Sequence, residues 1–313
     1  MYISILVPKT NRETELTMEK VYQAELLLES SCRLGEGPVW CSSTNAIYWV
    51  DIEGRTINWY CLDTQIHHFN AISKRVGMVA LTNTPYKLLL GLQGSLCWYD
   101  VKTSYLELWR PMEAHLTYNR CNDGQIDLKG RLWVGTMQIE NQRNEGNLYC
   151  ISATGEQIHL MSKLGISNGM AWSQDGQYFF FIDSLKRNIR RFEIDEQNAL
   201  VLTKEKVIYQ SRNRDELPDG MCIDANGNLW VAFWGGFRVA CIDTRTGEEL
   251  AEIRLPVPNV TSCNWIGPNF NELVITTARE GLDEHELLTY PMSGHIFRCK
   301  VDAQGIETRR FVI

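Results

Sequence analysis

Four polar residues occupy similar places in a repeated pattern, each one or two residues before a glycine and a short apolar run. They are Glu36, Asn122, Asn168 and Asp219. Carboxylate and amide oxygens of mixed charge are the ligands that hard divalent cations prefer, whether Ca²⁺ or an ion of the Mg²⁺ or Mn²⁺ type. The glycines would let the backbone turn sharply without a Cβ clash. If the fold brings the four side chains together, the pattern predicts a metal site.

An Asn or Asp before a glycine is also ordinary turn chemistry, and this alternative is open at each position taken alone. The pairs Asp175-Gly176 and Asn226-Gly227 show it, because they lie elsewhere in the repeat and predict simple hairpin turns. The recurrence of four polar residues at one phase of the repeat favours a shared site.

The elements that must position these residues are predicted to be β-strands. Helical periodicity is scarce, whereas short β-rich runs alternate with Gly, Asn, Asp and Pro. The central runs are about 41 to 50 residues apart, the period of a propeller blade. Equivalent residues of these runs are Trp49, Leu90, Trp133, Phe180, Trp230 and Val274.

The repeat predicts an all-β fold, a six-bladed β-propeller whose units of three to four strands fill residues 35–310. In a propeller the innermost strands line the central channel, so the four polar residues would meet at one mouth. Residues 21–28 read as a strand that pairs with the last blade and closes the ring. We therefore expect an N-terminal extension over residues 1–18 and one propeller domain over 19–313.

Composition excludes several classes of function and location. The 313 residues carry 31 Lys and Arg against 38 Asp and Glu, and a net charge of −7 predicts no binding to nucleic acid.

The ten Cys are dispersed without a CxxC pair, which predicts free thiols and a cytoplasmic protein. No apolar run approaches the roughly 18 residues of a membrane span. The six His do not recur at the blade entrances, so a His-rich zinc site or a Ser-His-Asp triad has no support.

The chain resembles the SMP-30/gluconolactonase/regucalcin family of six-bladed propellers from about residue 30 to 310. Five ordered segments carry the resemblance: Leu34-Gly-Glu-Gly-Pro-Val-Trp40, Arg120-Cys-Asn-Asp-Gly124 through Gly135-Thr-Met137, Ser167-Asn-Gly-Met-Ala171, Pro218-Asp-Gly-Met-Cys-Ile-Asp224, and Thr261-Ser-Cys263 with Val274-Ile-Thr-Thr-Ala-Arg279. One departure is Asn264-Trp-Ile-Gly267, where the family often has Phe-Gly-Gly.

The resemblance implies roles for individual residues. Glu36, Asn168 and Asp219 fall on the metal ligands of the family. The ion would be one divalent cation, with Ca²⁺ expected first and Zn²⁺, Mn²⁺ or Fe²⁺ as alternatives. Asp219 also falls on the general base, and the substrate-contacting positions are Arg120, Asn122 and Glu140.

These roles predict a metal-dependent hydrolase that opens a sugar lactone to the aldonic acid, as a monomer or weak homo-oligomer. The cation would polarise the ester carbonyl, and Asp219 would take a proton from the attacking water. Two alternatives stay open: a hydrolase of other esters such as phosphotriesters, and a calcium-binding regulatory or scaffold propeller. Arg120 could instead form a structural ion pair with Asp123 or Asp127, and Glu140 could be a solvated loop charge.

Overall fold

Nearly all of the regular structure is β-strand, arranged as six sheets around a central axis. The structure is a computed structural model, and it describes residues 20–140, 143–195, 200–211 and 213–313. The predicted extension over residues 1–18 lies outside these ranges. The prediction of an all-β, six-bladed propeller is confirmed.

The strands and helical segments follow in chain order. They are β1 Lys20–Gln23, β2 Glu25–Leu28, β3 Gly35–Cys41, β4 Ala46–Asp51, β5 Thr56–Cys61, β6 Ile66–Ala71, β7 Val76–Leu81, β8 Lys87–Leu92, β9 Ser95–Asp100, β10 Tyr105–Pro111, β11 Asn119–Ile126, β12 Leu132–Gln138, β13 Gly146–Ile151, β14 Gln157–Leu164, β15 Ser167–Trp172, β16 Tyr178–Asp183, a 3₁₀ turn Ser184–Lys186, β17 Asn188–Ile194, β18 Leu200–Gln210, β19 Leu217–Ile223, β20 Leu229–Trp234, β21 Arg238–Ile242, β22 Glu249–Arg254, β23 Val260–Ile266, β24 Glu272–Thr277, α1 Glu284–Thr289 and β25 Ile296–Lys300. Within the described ranges, no helix has both the length and the apolar character needed to cross a membrane.

Each blade is an antiparallel sheet that runs outward from one innermost strand. Blades 1 to 4 are β3–β6, β7–β10, β11–β14 and β15–β18, blade 5 contains β19–β22, and blade 6 contains β23–β25. The innermost strands β3, β7, β11, β15, β19 and β23 contact their neighbours in that order, and β23 returns to β3. Their first residues therefore lie around one end of the channel.

The N-terminal strand closes the ring, but not as a single element. Residues 21–28 divide at Ala24, where the chain crosses from one blade to the next. The second piece, β2, pairs antiparallel with β25 and completes blade 6, as expected. The first piece, β1, instead pairs in parallel with β22 and adds a fifth strand to blade 5. The prediction of one strand on the last blade was wrong in this respect.

The repeated central runs form the second strand of every blade. Their six equivalent residues are all buried. In blade 3 the Asp127 carboxylate accepts a hydrogen bond from Trp133 Nε1 at 3.0 Å. In blade 5 the Asp224 carboxylate accepts one from Trp230 Nε1 at 3.2 Å. Each of these aspartates also accepts hydrogen bonds from main-chain N–H groups of the turn that follows it. One buried carboxylate therefore stabilises both the hairpin turn and the buried tryptophan.

The C-terminal segment crosses the channel at the ends of the innermost strands. Gly305 bridges to Asp224 of blade 5, and Phe311 bridges to Thr82 beside blade 2. Phe311 is fully buried and contacts Trp98 and Trp109. This segment thereby covers the end of the channel opposite the mouth at which the innermost strands begin.

The cysteines confirm the prediction of free thiols. All ten are unpaired, and Cys61 is the one that is not fully buried. Most lie on strands inside or between the blades, where a thiol packs as a small apolar group.

Candidate metal and substrate site

Every innermost strand contains a β-bulge close to its start. One extra residue enters the inner strand between Glu36 and Val39 in blade 1 and between Pro218 and Met221 in blade 5. The corresponding shifts occur at residues 76–78, 121–124, 168–170 and 260–262. A bulge disrupts the hydrogen-bond ladder and re-aims the local side chains. In this ring it turns polar residues of several blades towards one another.

The glycines beside these residues do not all act as the sequence predicted. Gly37 does adopt a left-handed conformation, with φ of 55°. Gly169 has no positive φ and is required by close packing instead. A Cβ on Gly169 would lie 2.7 Å from the main-chain oxygen of Asp219 on the neighbouring inner strand. The expectation of a sharp turn at each site was therefore wrong for Gly169, where two strands approach each other closely, and for Gly124 and Gly220, which also lack a positive φ.

The predicted amide residues form a continuous set of hydrogen bonds between blades 3 and 4. Arg120 Nη1 donates to Asn122 Oδ1 at 2.5 Å. Asn122 Nδ2 donates to Asn168 Oδ1 at 3.1 Å and to the Ser167 carbonyl at 2.8 Å. Asn168 Nδ2 donates to Ser184 Oγ at 3.0 Å. All five residues are buried. The structure thus brings Arg120, Asn122 and Asn168 together.

Carboxylates from blades 1, 3 and 5 influence one another at this mouth, where Glu36 and Asp219 are buried and Asp123 is half-buried. Burial, and next the nearby Asp123, raise the pKa of Glu36 to about 8. Burial likewise raises the pKa of Asp123 to about 6. The pKa of Asp219 lies well above its usual range, first because of burial and then because of Glu36 and Asp123. Arg120 and Asn168 offset only part of this effect on Asp219.

Asp219 has an additional feature that the other two acids lack. Its Oδ1 is buried and has no hydrogen-bond partner among the described residues. An unpaired buried carboxylate oxygen costs free energy unless a donor or a cation reaches it. The oxygen is therefore an open ligand position within the cluster.

Arg120 does not form the structural ion pair that the sequence left open with Asp127. Asp127 is held by Arg131 at 2.7 Å and by the blade-core tryptophan described above. In the described part of the chain, no carboxylate lies within 4.0 Å of the Arg120 guanidinium nitrogens. Its Nε is buried without a partner, and burial lowers the pKa of this arginine despite the opposing charges of Glu53 and Glu36.

Glu140 lies apart from the buried cluster. It is exposed in the turn that follows β12. The neighbouring Ile139 donates its main-chain N–H to the Tyr118 carbonyl at 2.9 Å, which places this turn beside the start of β11. Glu140 is therefore at the same end of blade 3 as Arg120, and its role in substrate binding stays a prediction.

Two residues of the cluster were not among the predicted ligands. Asp123 was considered only as an ion-pair partner, although it directly precedes Gly124. Glu36, Asn168 and Asp219 also directly precede a glycine, so this shared spacing would have identified Asp123 as an equivalent residue. Ser184 follows β16 and belongs to no blade entrance, so the repeat contains no signal for it.

Comparison with known families identifies the chain. A sequence model of the SMP-30/Gluconolactonase/LRE-like region matches residues 34–279. The chain belongs to this family. Glu36, Arg120, Asn168 and Asp219 all lie inside the matched region of the SMP-30/gluconolactonase/LRE-like fold.

Relatives in the family match almost the whole chain. Regucalcin of Sus scrofa is 35% identical over 291 residues, covering 90% of this chain and 95% of its own. The putative sugar lactone lactonase YvrE of Bacillus subtilis is 32% identical over 286 residues, covering 90% and 97%. The structure of a calcium-binding regucalcin from Agrobacterium tumefaciens superimposes with a TM-score of 0.89 at 27% identity, covering 94% and 99%.

The residues present fit a hard divalent cation. In residues 20–140, 143–195, 200–211 and 213–313, no three side chains drawn from His, Cys, Asp and Glu form a metal cluster by themselves. The candidate set of this family member instead combines the carboxylates of Glu36 and Asp219 with the amide oxygen of Asn168. Oxygen donors of mixed charge, one of them unpartnered, match the chemistry of such an ion.

Gly169→Ala tests the close approach that holds the site together. The new methyl group would press on the Asp219 carbonyl, so we expect a loss of about 1–3 kcal/mol in the free energy of unfolding. Because the strand that carries Asp219 must shift, cation affinity should also fall. Urea unfolding and calorimetric titration with Ca²⁺ measure the two effects.

Gly227→Ala is the matched control. Gly227 has φ of 84° in a hairpin turn, and a Cβ there meets nothing within 4 Å. This variant should lose stability through its backbone conformation and retain cation affinity. Equal cation affinity in both variants would contradict the packing argument.

Proposed function

We propose that the protein hydrolyses the ring ester of a sugar lactone, with one divalent cation held by Glu36, Asn168 and Asp219. One observation carries the proposal: the carboxylates of Glu36 and Asp219 from two blades are buried at the channel mouth, and Asp219 Oδ1 has no partner among the described residues. The name of the Bacillus subtilis relative as a putative sugar lactone lactonase supports the choice of substrate.

The cluster is suited to a cation because a divalent ion favours the ionised form of acidic groups whose pKa values burial has raised. Glu36, Asp123 and Asp219 face the single guanidinium of Arg120. A bound divalent ion would supply the missing positive charge and polarise the ester carbonyl of the substrate. Ca²⁺ is the expected ion, in keeping with the calcium-binding Agrobacterium protein, and Zn²⁺, Mn²⁺ or Fe²⁺ are the alternatives.

Asp219 is the general base in this proposal. Its carboxylate, bound to or beside the ion, would accept a proton from a water molecule as the water oxygen bonds to the lactone carbonyl carbon. The ring C–O bond then breaks, and the proton passes to the departing ring oxygen, which becomes a hydroxyl group. The net change is the addition of one water molecule, and the product is the aldonic acid.

Arg120, Asn122 and Glu140 are the proposed substrate contacts. Arg120 uses one terminal nitrogen for Asn122 and the Cys121 carbonyl, and its buried Nε has no partner in the part of the chain that the structure describes. A rigid guanidinium with unused donors is suited to hold hydroxyl or carbonyl oxygens. Exposed Glu140 would contact hydroxyl groups at the outer side of the substrate.

A panel of aldonolactones tests the reaction. Metal-stripped protein should show no turnover, and adding Ca²⁺, Zn²⁺, Mn²⁺ or Fe²⁺ one at a time should restore acid release with at least one lactone. A pH-indicator assay measures the rate, and a phosphotriester and an open-chain ester serve as comparison substrates. Turnover of no lactone under any cation would contradict the proposal and favour a calcium-binding protein without catalysis.

Asp219→Ala tests the role of the carboxylate. Loss of a general base is expected to lower kcat by about 10²–10⁴-fold. The fold should survive, since the change removes a buried charge that faces two other carboxylates. Steady-state kinetics and thermal unfolding provide the measurements.

Asp302→Ala is the control for this variant. Asp302 is exposed and pairs only with exposed Lys20, at 3.5 Å. Its replacement should leave kcat and the unfolding midpoint unchanged. Full activity of the Asp219 variant, with its bound metal retained, would overturn the mechanism.

A further inference from the structure

The hydroxyl group of Ser184 connects two strands that carry proposed ligands. Ser184 Oγ accepts a hydrogen bond from Asn168 Nδ2 at 3.0 Å. The same oxygen donates to the Pro218 carbonyl at 2.7 Å, next to Asp219 in the chain. Ser184 thus links the start of β15 in blade 4 to the start of β19 in blade 5.

The groups at the two ends of this series of hydrogen bonds fix the direction of every bond between them. Arg120 can only donate, and a main-chain carbonyl such as that of Pro218 can only accept. Asn122, Asn168 and Ser184 lie between them, and each accepts from one side and donates to the other. The Asn168 amide therefore keeps its nitrogen towards Ser184 and its oxygen on the side of Asn122.

The chain around Ser184 is itself firmly held. Ser184 begins a 3₁₀ turn, and its main-chain N–H donates to the Ile166 carbonyl at 3.1 Å. The preceding Asp183 accepts hydrogen bonds from the N–H groups of Gly165 and Ile166 at 3.2 and 3.1 Å. Ser184 is only 3% exposed. Its hydroxyl is thereby fixed relative to the strand that carries Asn168.

We infer that Ser184 is a positioning residue for the cation site. It orients the Asn168 amide so that the oxygen is presented to the ion, and it fixes the spacing between Asn168 and Asp219. This inference rests on the proposed function, because the orientation of the amide matters only where Asn168 is a ligand. Partners that orient metal ligands commonly change metal affinity by about 10–100-fold when they are replaced.

A purely structural role for the hydroxyl makes a different prediction. If Ser184 served only to satisfy the Pro218 carbonyl, its loss would lower the unfolding temperature and leave cation affinity unchanged. An orienting role requires the affinity to fall, and it requires high Ca²⁺ concentrations to restore kcat. The two roles are therefore separable by titration.

The experiment uses Ser184→Ala and Ser184→Cys in the full chain, with Ca²⁺ as the probe. Calorimetric titration without substrate should show about 10–100-fold weaker binding in the alanine variant. The cysteine variant keeps a polar hydrogen and an acceptor at this position, both weaker than those of serine, so it should fall between alanine and wild type. Raising Ca²⁺ should recover kcat for a lactone that the wild type hydrolyses.

Ser293→Ala is the matched control. Ser293 is 2% exposed, and its hydroxyl has no hydrogen-bond partner in the described residues. This variant should bind Ca²⁺ as the wild type does, which shows that loss of a buried hydroxyl is not sufficient to weaken the site.

The outcomes separate this inference from the proposed function. Wild-type Ca²⁺ affinity in both Ser184 variants would overturn the positioning role while leaving lactone hydrolysis intact. Weakened affinity in a protein that hydrolyses no lactone would support the positioning role and contradict the activity. A wild type that binds no Ca²⁺ would contradict the inference for this ion.

Discussion

The burial of acidic side chains where six inner strands begin is the constraint on which the rest of the structure depends. Glu36 and Asp219 are buried and Asp123 is half-buried near them, although each carboxylate would be more stable in water. The β-bulges make this arrangement possible, because each re-aims a polar residue away from the ladder of its blade. Such a cluster lowers the stability of the fold, and in the proposed function a bound cation would offset this cost.

Because these acidic side chains repel one another, the surrounding fold must hold them in place. The buried central strands, the tryptophans bound to Asp127 and Asp224, and the closing strand β2 supply this support. The C-terminal segment adds contacts across the far end of the channel. The proposed metal ligands lie on inner strands, whereas Glu140 lies on an exposed turn. Under the proposal, the turn could vary with the substrate while the chemistry stays unchanged.

The fold and most of the cluster were predictable from the sequence, because a blade is a local unit. Trp49 and Trp230 mark the same strand of their blades, and the period of such residues predicts the propeller without any knowledge of long-range contacts. The contacts between blades were not predictable in this way. Ser184 reaches Asn168 and Pro218 only because blades 4 and 5 pack at a particular distance. The need for glycine at position 169 has the same origin, since the clash would be with Asp219 of the next strand.

Anomalous diffraction from crystals grown with Ca²⁺, or with Mn²⁺ as a stronger scatterer, tests the central claim most directly. The account predicts one peak at the channel mouth, with oxygen atoms of Glu36, Asn168 and Asp219 at about 2.3–2.6 Å for Ca²⁺. Asp219 Oδ1 should be among the ligands. No peak at the mouth, or a peak whose ligands exclude Asp219, would contradict the claim that the buried carboxylates exist to hold a cation.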